Sequence, residues 1–281
     1  MGLNILSMLQ SKEPLVALIA VLYRIPAVLI ALTLHELAHG YVALKCGDPT
    51  AKMLGRLSFN PLRHLDPIGT LFMLLFGFGW ARPVPVNSRN FGKFRRDDLL
   101  VSLAGITVNF ILFFFSTLIM VGLNQLIFKP ELWNTVLELT TRKDFLSFDG
   151  VNFYSIFSGE NILFTHLEGD NAYYWPGAFE TMLQTPWLLY VQRFMMNFSM
   201  VNLGLCLFNL LPIPPLDGYH VVNDIFLRGK LHIPANIMNG IMIGLMIIMF
   251  TTSYISDFLG KAIIFVQNGV LSGVLAIFGL G

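Results

Sequence analysis

The chain is poor in charged residues and in cysteine, and each shortage excludes a class of protein. Only 12% of its 281 residues are charged, about half of the roughly 25% that is usual in soluble globular proteins. Two cysteines, Cys46 and Cys206, are too few for a disulfide framework or a thiolate zinc site. The net charge of +1 and the lack of a basic tract give no reason to expect a nucleic-acid partner.

The sequence also lacks the features of an appended soluble domain and of a signal peptide. No stretch predicts an appended soluble domain, so we expect residues 1–281 to form a single integral membrane domain. The start of the chain lacks a basic region followed by small residues, so we expect no cleaved signal peptide.

Apolar residues dominate what remains. They make up 55% of the chain, 25 residues are Phe, and the mean hydropathy is +0.66. Because a membrane-spanning helix needs about 20 apolar residues, the sequence predicts an all-α polytopic membrane protein with five to six spans. We expect core helices at about 26–46, 99–128 and 181–211, an outer loop at 128–180, and C-terminal helices within 233–280. Pro26 suits the first turn of a helix, which sets the first boundary.

Charge differs between the connecting segments. Residues 45–98 carry nine Lys and Arg against four Asp and Glu, whereas residues 128–180 carry three against eight. Basic loops stay on the cytoplasmic side, so we expect 45–98 and 212–232 to face the cytoplasm and 128–180 to face outward. The short apolar run 68–80 ends in Gly77-Phe78-Gly79 and is predicted to be a re-entrant or loop element.

One motif indicates a metal site more clearly than any other part of the sequence. His35-Glu36-Leu37-Ala38-His39 places two histidines four residues apart, so both imidazoles face one side of a helix and can share one zinc ion. Glu36 lies beside them and can take a proton from a bound water. A charge at the centre of a membrane helix costs about 2.5–3.5 kcal/mol, so retaining these groups in an apolar helix favours a metal site over chance.

A third ligand is needed, because catalytic zinc keeps three protein ligands and an open position. The candidate is Asp217, which follows an apolar span and the helix-ending Pro212, Pro214 and Pro215. Non-helical backbone at membrane depth is tolerated only where protein buries it or where it lines a wet cavity. Taken alone, Asp217 also fits the N-cap of a helix over 218–227.

These residues together resemble the site-2 protease family of intramembrane metalloproteases, in its compact prokaryotic branch without PDZ or CBS domains. The segments that carry the resemblance are HELAHG at 35–40, FNPLRHLDPIGT at 59–70, GFGWARPVPVN at 77–87, AGITVN at 104–109 and NLLPIPPLDG at 209–218. One departure is visible, since the family often has Pro after the Gly of its AG motif and Ile106 stands there in this chain.

The resemblance implies a set of roles. His35, His39 and Asp217 would bind one Zn²⁺, Glu36 would be the general base, and Asn109 would face the active site and stabilise the oxyanion. A membrane-associated β-like loop at 77–87 would align the substrate. The residues implied in substrate binding are Asn209, Pro214, Gly77, Gly79 and Trp80.

The function implied is hydrolysis of peptide bonds in or near the transmembrane segments of membrane proteins, within a multi-pass cell membrane and with the active site toward the cytoplasm. The expected partners are single-pass or few-pass membrane proteins and the lipid bilayer. The alternative is a non-proteolytic zinc-binding transporter or regulatory module, because intramembrane His and Asp also mark ion pathways. The sequence shows no paired repeat of the kind found in transporters, and Glu36 favours a catalytic function over transport.

Other polar residues receive simpler interpretations. We expect His64 to be a loop histidine near the lipid headgroups, with an additional ligand or a proton carrier as alternatives. Asp66 before Pro67 suits a turn or a helix start. The remaining histidines, at 166, 220 and 232, are interpreted as structural.

Overall fold

A computed structural model of the chain describes residues 14–76, 79–127, 129–130, 163–165, 172–174, 183–231 and 233–278. The described part is mostly helical, as the sequence predicts. The α-helices are α1 (Pro14–Lys45), α2 (Thr50–Met53), α3 (Pro67–Phe76), α4 (Phe94–Ile127), α5 (Leu188–Asn209), α6 (Asp217–Phe226), α7 (Ala235–Thr251) and α8 (Tyr254–Ile277). Short 3-10 turns cover Pro61–Arg63 and Ser88–Asn90.

The first helix is longer than predicted. It begins at Pro14 and carries Pro26 in its interior, so the expected helix start near Pro26 is wrong. Proline removes one backbone hydrogen bond, but apolar membrane helices tolerate it where neighbouring groups satisfy the freed carbonyl. A single proline is therefore an unreliable predictor of a helix start in a hydrophobic run of this length.

Within the described residues, three helices are long and apolar enough to cross a membrane: Val21–Lys45, Phe94–Ile127 and Tyr254–Ile277. A shorter apolar helix covers Asn236–Met249. Helix α5, predicted as a span over 181–211, is not among the three, because Gln192, Arg193 and several asparagines interrupt its apolar surface. The predicted count of five to six spans is therefore matched only in part.

The chain divides into two compact units, and the first contains the predicted site. It comprises residues 1–113 and 200–262. One of its apolar clusters joins Phe208, Leu216, Leu245, Met249 and Leu259. This cluster packs the end of α5 and the turn before α6 against α7 and α8. A second, smaller cluster of Ala43, Phe91 and Val101 joins α1 to the start of α4.

The second unit comprises residues 114–199 and 263–281. It packs the second half of α4 against α5 and α8, around Met120, Leu189 and Leu271 among others. One buried donor inside it is paired, since the Gln192 side chain donates to the carbonyl of Met120 at 3.0 Å. Satisfying such groups internally is required where water is excluded.

The predicted outer loop 128–180 is described only in small part. It contains a two-stranded antiparallel pair, β1 (Leu163–Thr165) and β2 (Ala172–Tyr174), with Phe164 opposite Tyr173. The rest of the loop lies outside the described residues, as do His166 and His232. Its predicted outward position stays a prediction.

Asp48 fastens the connection that follows α1. Its fully buried carboxylate accepts hydrogen bonds from the backbone N–H of Thr50 (3.1 Å), the backbone N–H of Asn87 (2.7 Å) and the side-chain amide of Asn90 (2.7 Å). Burial raises the pKa of Asp48, but the hydrogen bonds from Thr50, Asn87 and Asn90 outweigh it and the net pKa is lowered. The carboxylate thereby ties the end of segment 79–87 to the end of α1.

This network predicts a pH-dependent stabilisation. Asp48→Asn places an amide N–H₂ against N–H donors, and hydrogen bonds to charged groups contribute about 1.5–3 kcal/mol. Because the folded-state pKa is lowered, the contribution is present above the ordinary Asp pKa of about 3.9 and is lost as the pH falls through the folded-state value. We expect the melting temperature of the detergent-solubilised protein to drop in Asp48→Asn at pH 7, with the gap closing as the pH falls below about 4.

Asp66→Asn is the matched control, since Asp66 accepts one bond at the start of α3, from the N–H of Gly69, and Asn is an equally good N-cap. This role of Asp48 would be contradicted if Asp48→Asn lowered the melting temperature no more than the control does. It would also be contradicted if the difference from wild type persisted unchanged at low pH.

Candidate metal centre

The two histidines of the HELAH segment lie in the second half of α1 and face the same side. Their ring centroids are 4.6 Å apart, and the two Nε2 atoms are separated by 3.0 Å. Both side chains are buried, as is Glu36 between them. The spacing of four residues on a helix therefore brings both imidazoles to one point, as the sequence predicts.

The third predicted ligand comes from a distant part of the chain. The proline-rich turn after α5 ends at Leu216, and Asp217 is the first residue of α6. Its Oδ2 atom lies 3.3 Å from His35 Nε2 and 3.3 Å from His39 Nε2. Leu216, not Asp217, occupies the N-cap position, and no side chain caps this helix. The carboxylate thus points to the imidazoles instead of capping its own helix.

The three ligand atoms fit a metal ion. Among the described residues they form a group in which all ligand atoms lie within 4.8 Å of one another. Tetrahedral zinc with ligand bonds of about 2.0–2.1 Å places its ligands about 3.3 Å apart, which is close to the three separations observed. The Oδ2 atom of Asp217 is buried and makes no hydrogen bond within the described structure. A buried oxygen without a donor is costly, and a cation among the three atoms would satisfy it.

The protonation state of Asp217 suits a ligand. Burial raises the pKa of its carboxyl, but the adjacent imidazoles of His39 and His35 lower it more strongly, so the net pKa lies below the ordinary value. The group is therefore a carboxylate, which is the form that binds a cation.

The other nitrogen of each imidazole has its own partner. His39 Nδ1 lies 2.7 Å from the carbonyl oxygen of Val101 in α4, and since a carbonyl only accepts, Nδ1 carries the proton. His39 Nε2 is left with a lone pair for a metal. Such a backbone acceptor behind a histidine fixes both the tautomer and the ring orientation.

Asn109 plays the same part for His35. The structure places its side-chain amide 3.1 Å from His35 Nδ1, while its Oδ1 is buried without a partner. The two ends of an amide differ only in hydrogen bonding. With the amide turned over, Oδ1 accepts from His35 Nδ1–H, the orphaned oxygen is satisfied, and Nε2 is free to bind the metal. Asn109 is fully buried and lies behind His35, so its predicted contact with the oxyanion stays a prediction.

Glu36 is held at the same place by the segment 79–87. The backbone N–H of Val84 donates to Glu36 Oε2 at 2.7 Å. Glu36, the three ligands and this segment line one cavity of about 440 Å³. The cavity gives the carboxylate room for water beside the three candidate ligands.

Segment 79–87 is less regular than predicted. Its strand-like pairing is limited to an isolated antiparallel bridge between Leu65 and Ala81, with the N–H of Arg82 donating to the carbonyl of His64 at 2.8 Å. The side chain of Arg56 donates to the carbonyls of Arg82 and Pro83. Side-chain and backbone anchors thus replace a sheet, which explains why the predicted β-like loop is not a strand among the described residues.

The predicted substrate-binding residues are brought only partly together. Gly79, Trp80 and Asn209 line the cavity, whereas Pro214 does not and Pro215 does. Gly77 lies outside the described residues. A β-carbon at Gly79 would collide with the backbone of Gly69 in α3, so Gly79 allows this segment to pack closely on that helix. Trp80 packs on Phe72 at a centroid distance of 5.7 Å.

The burial of His64 was not predicted from the sequence. It is a loop histidine, as predicted, but it is fully buried, with Nε2 2.7 Å from the carbonyl of Ser58; its position near the lipid headgroups stays a prediction. It is not part of the metal group among the described residues. A 3-10 turn at Pro61–Arg63, whose Asn60 cap accepts from the N–H of Leu62, connects Ser58 to His64. Asp66 starts α3, as predicted.

Gly105 of the AGITVN segment allows α4 to reach the histidines. A β-carbon at this position would overlap Nε2 of His39 and Cε1 and Nδ1 of His35. Sequence reasoning used this segment only for the resemblance and missed this contact. A glycine inside an apolar helix is a signal of close approach, but it does not tell what approaches.

A second missed pair lies at the edge of the cavity. The Nδ1 atom of His220, a residue interpreted from the sequence as structural, lies 3.3 Å from Oδ2 of Asp98 on α4. Both residues line the cavity. His220 follows Asp217 by one helical turn on α6. Nothing in the sequence pairs it with a carboxylate more than a hundred positions away.

Comparison with known proteins agrees with this site. Residues 23–251 match the model of Peptidase family M50. The chain is 37% identical to YwhC of Bacillus subtilis (strain 168), provisionally named a zinc metalloprotease, over 203 residues that cover 72% of this chain and 68% of that one. It is 33% identical over 108 residues to Rip2 of Mycobacterium tuberculosis, which has the same provisional name, covering 36% of this chain and 39% of Rip2. No solved structure matches.

The close approach at Gly105 gives a test of the centre. Gly105→Ala adds a methyl group against both imidazoles, although the exchange favours a helix by about 1 kcal/mol. We expect zinc affinity, measured by competition with a chelator in detergent, to fall at least about tenfold, as for other disturbances around a ligand. Gly204→Ala is the control, because no atom lies within 4 Å of its added carbon. Equal affinities in the two variants would show that Gly105 does not shape the site.

Proposed function

We propose that this chain, which belongs to peptidase family M50, the site-2 protease family of zinc metalloproteases, hydrolyses peptide bonds in or near the transmembrane segments of membrane proteins. One observation supports this most: a glutamate and a His-His-Asp ligand set line a single cavity beside apolar helices. A binding or transport protein would need the ligands but not the glutamate beside them.

The ligand residues are assigned as follows. His35, His39 and Asp217 would hold one Zn²⁺, and their separations of 3.0–3.3 Å fit that ion. When bound, zinc supplies Lewis acidity and a water whose pKa is lowered to about 7. Val101 and Asn109 fix the tautomers of the two histidines, which keeps both lone pairs directed at the same point.

Glu36 is the proposed general base. It takes the proton of the attacking water at Oε1 or Oε2 and then passes that proton to the amine that leaves. The Val84 N–H bond to Oε2 keeps the carboxylate in the cavity. Holding the base in place before the substrate arrives reduces the entropy lost at the transition state.

Segment 79–87 is the proposed guide for the substrate. A helical peptide bond is shielded by its own hydrogen bonds, so the substrate must unwind before it is cut. An extended chain could pair with the backbone beside Trp80, as in strand addition. Asn209 and the turn containing Pro214 would contact the same strand from the other side. Gly77 and Gly79 would complete the guide.

The proposed setting is a cell membrane crossed five to six times. Residues 45–98 and 212–232 would face the cytoplasm, and so would the cavity. The substrates would be single-pass or few-pass membrane proteins that enter from the bilayer. The excess of Lys and Arg in residues 45–98 supports this orientation.

The test separates metal binding from chemistry. A single-span model substrate with a Gly-Gly pair in its span is incubated with the zinc-loaded protein in detergent, because weak helix formers ease unwinding. We expect wild type to cleave it, EDTA to stop cleavage and added zinc to restore it. Glu36→Gln should keep one zinc per chain and lose at least about a hundredfold in rate, because general-base catalysis contributes 10²–10⁴-fold.

Two results would overturn the assignment. Cleavage by Glu36→Gln at the wild-type rate would exclude Glu36 as the base. Zinc binding without any cleavage by the wild type, while Glu36→Gln behaves identically, would favour the zinc-binding transporter or regulatory module instead.

A further inference from the structure

Peptide hydrolysis benefits from a hydrogen-bond donor at the carbonyl oxygen of the substrate, in addition to the Lewis acidity that a bound zinc would supply. Negative charge develops on the carbonyl oxygen of the substrate, and proteases place a hydrogen-bond donor where that oxygen will be. Asn109, the donor implied by the resemblance, is fully buried and has its amide directed to His35 Nδ1. Turning it to the substrate would leave His35 without the partner that fixes its tautomer.

His220 occupies a place that meets the requirement. It lies one turn after Asp217 on α6, and residues three apart on a helix have neighbouring side chains, about 5–6 Å between their β-carbons. Its imidazole lines the same cavity as Glu36 and Asp217, and its side chain is 38% exposed. Among the described residues, Nδ1 has a partner in Asp98 but Nε2 makes no hydrogen bond.

Asp98 gives this imidazole a fixed orientation. Its Oδ2 lies 3.3 Å from His220 Nδ1. Helix α4, which carries Asp98, is itself docked to α6, because Arg95 donates from Nε to the carbonyl of Asp224 at 2.7 Å. The ring of Tyr219 packs against that of His220 at a centroid distance of 5.2 Å. The histidine is thus held on two sides while it lines the cavity.

The charges around His220 favour a proton on both nitrogens. The Asp98 hydrogen bond raises the pKa of His220 more than burial lowers it, and the charges of Asp98 and Asp224 act in the same direction. Asp224 is almost fully buried on the same helix, and Arg95 is the nearby basic group on α4. An imidazole in this setting is a donor at Nε2 instead of an acceptor.

We propose that His220 is a catalytic residue whose Nε2–H donates a hydrogen bond to the carbonyl oxygen of the scissile peptide bond, and that Asp98 is the positioning residue that orients it. The proposal rests on the proposed function, because it needs a peptide substrate in the cavity. No proton is transferred in this step: His220 stabilises charge, whereas Glu36 moves the proton from water to the leaving amine.

The experiment measures kcat and KM on the single-span model substrate, with zinc content of every variant measured in parallel. His220→Ala and His220→Phe both remove the donor, and Phe keeps a ring of similar size against Tyr219. Loss of one oxyanion donor costs about 10²–10³ in kcat, so we expect that fall in both variants, with KM changed less than about threefold and zinc retained. Asp98→Asn should lower kcat by at least about tenfold, because it loosens the orientation of His220 and removes the carboxylate that raises the pKa of the imidazole.

A second measurement is independent of turnover. A phosphinic peptide of the model sequence mimics the tetrahedral charge, so its equilibrium affinity should fall in the two His220 variants as far as kcat/KM does. The affinity of the uncleaved substrate, measured on Glu36→Gln and on Glu36→Gln with His220→Phe, should be equal. His220→Gln, which retains an N–H donor, should recover part of kcat and of phosphinate affinity.

The outcomes are distinct. A zinc-loaded wild type that does not cleave would overturn the proposed function itself. Active wild type together with a zinc-loaded His220→Ala or His220→Phe within about threefold of its kcat would overturn the role of His220 alone, because the expected loss is about 10²–10³. Loss of zinc in both variants would assign His220 to support of the metal ligand Asp217 and would equally overturn the proposal.

Discussion

The arrangement of the site depends on one constraint: a carboxylate from one end of the chain and two imidazoles from the other must share a small buried space. Asp217 Oδ2 is buried and makes no hydrogen bond, with two imidazole nitrogens 3.3 Å away. A buried anion that is neither paired nor bound to a metal costs several kcal/mol. A cation bound among these atoms converts that cost into an attraction that holds α1 and α6 together.

The groups around this centre are arranged to keep its geometry. Backbone and amide groups on α4, at Val101 and Asn109, take the outer nitrogens of both histidines, and Gly105 lets the same helix come into contact with the rings. Segment 79–87 holds Glu36 through the hydrogen bond from the Val84 N–H. The segment is itself anchored by Arg56 and Asp48. The base and the ligands are therefore positioned by different parts of the chain.

The sequence predicted that His35, His39 and Asp217 come together, since the HELAH spacing and the proline-opened turn before Asp217 are both visible in a single chain. It also predicted the helical class and most helix positions, because long apolar runs are unambiguous. It was wrong about Pro26, where the outcome depends on tertiary packing around a proline, and it did not reveal that His64 is fully buried. It could not reveal the roles of Val84 and Val101, since any residue offers the same backbone groups. The pairing of His220 with Asp98 was equally hidden, because it joins two helices far apart in sequence.

Zinc K-edge absorption spectroscopy on the purified, zinc-saturated protein tests the central claim most directly. The account predicts one zinc per chain with only nitrogen and oxygen ligands, at about 2.0–2.1 Å, and the imidazole scattering of two histidines. In Asp217→Ala the imidazole signal should remain while zinc is held more weakly. A sulfur ligand at about 2.3 Å, or a spectrum and affinity unchanged by Asp217→Ala, would contradict the account.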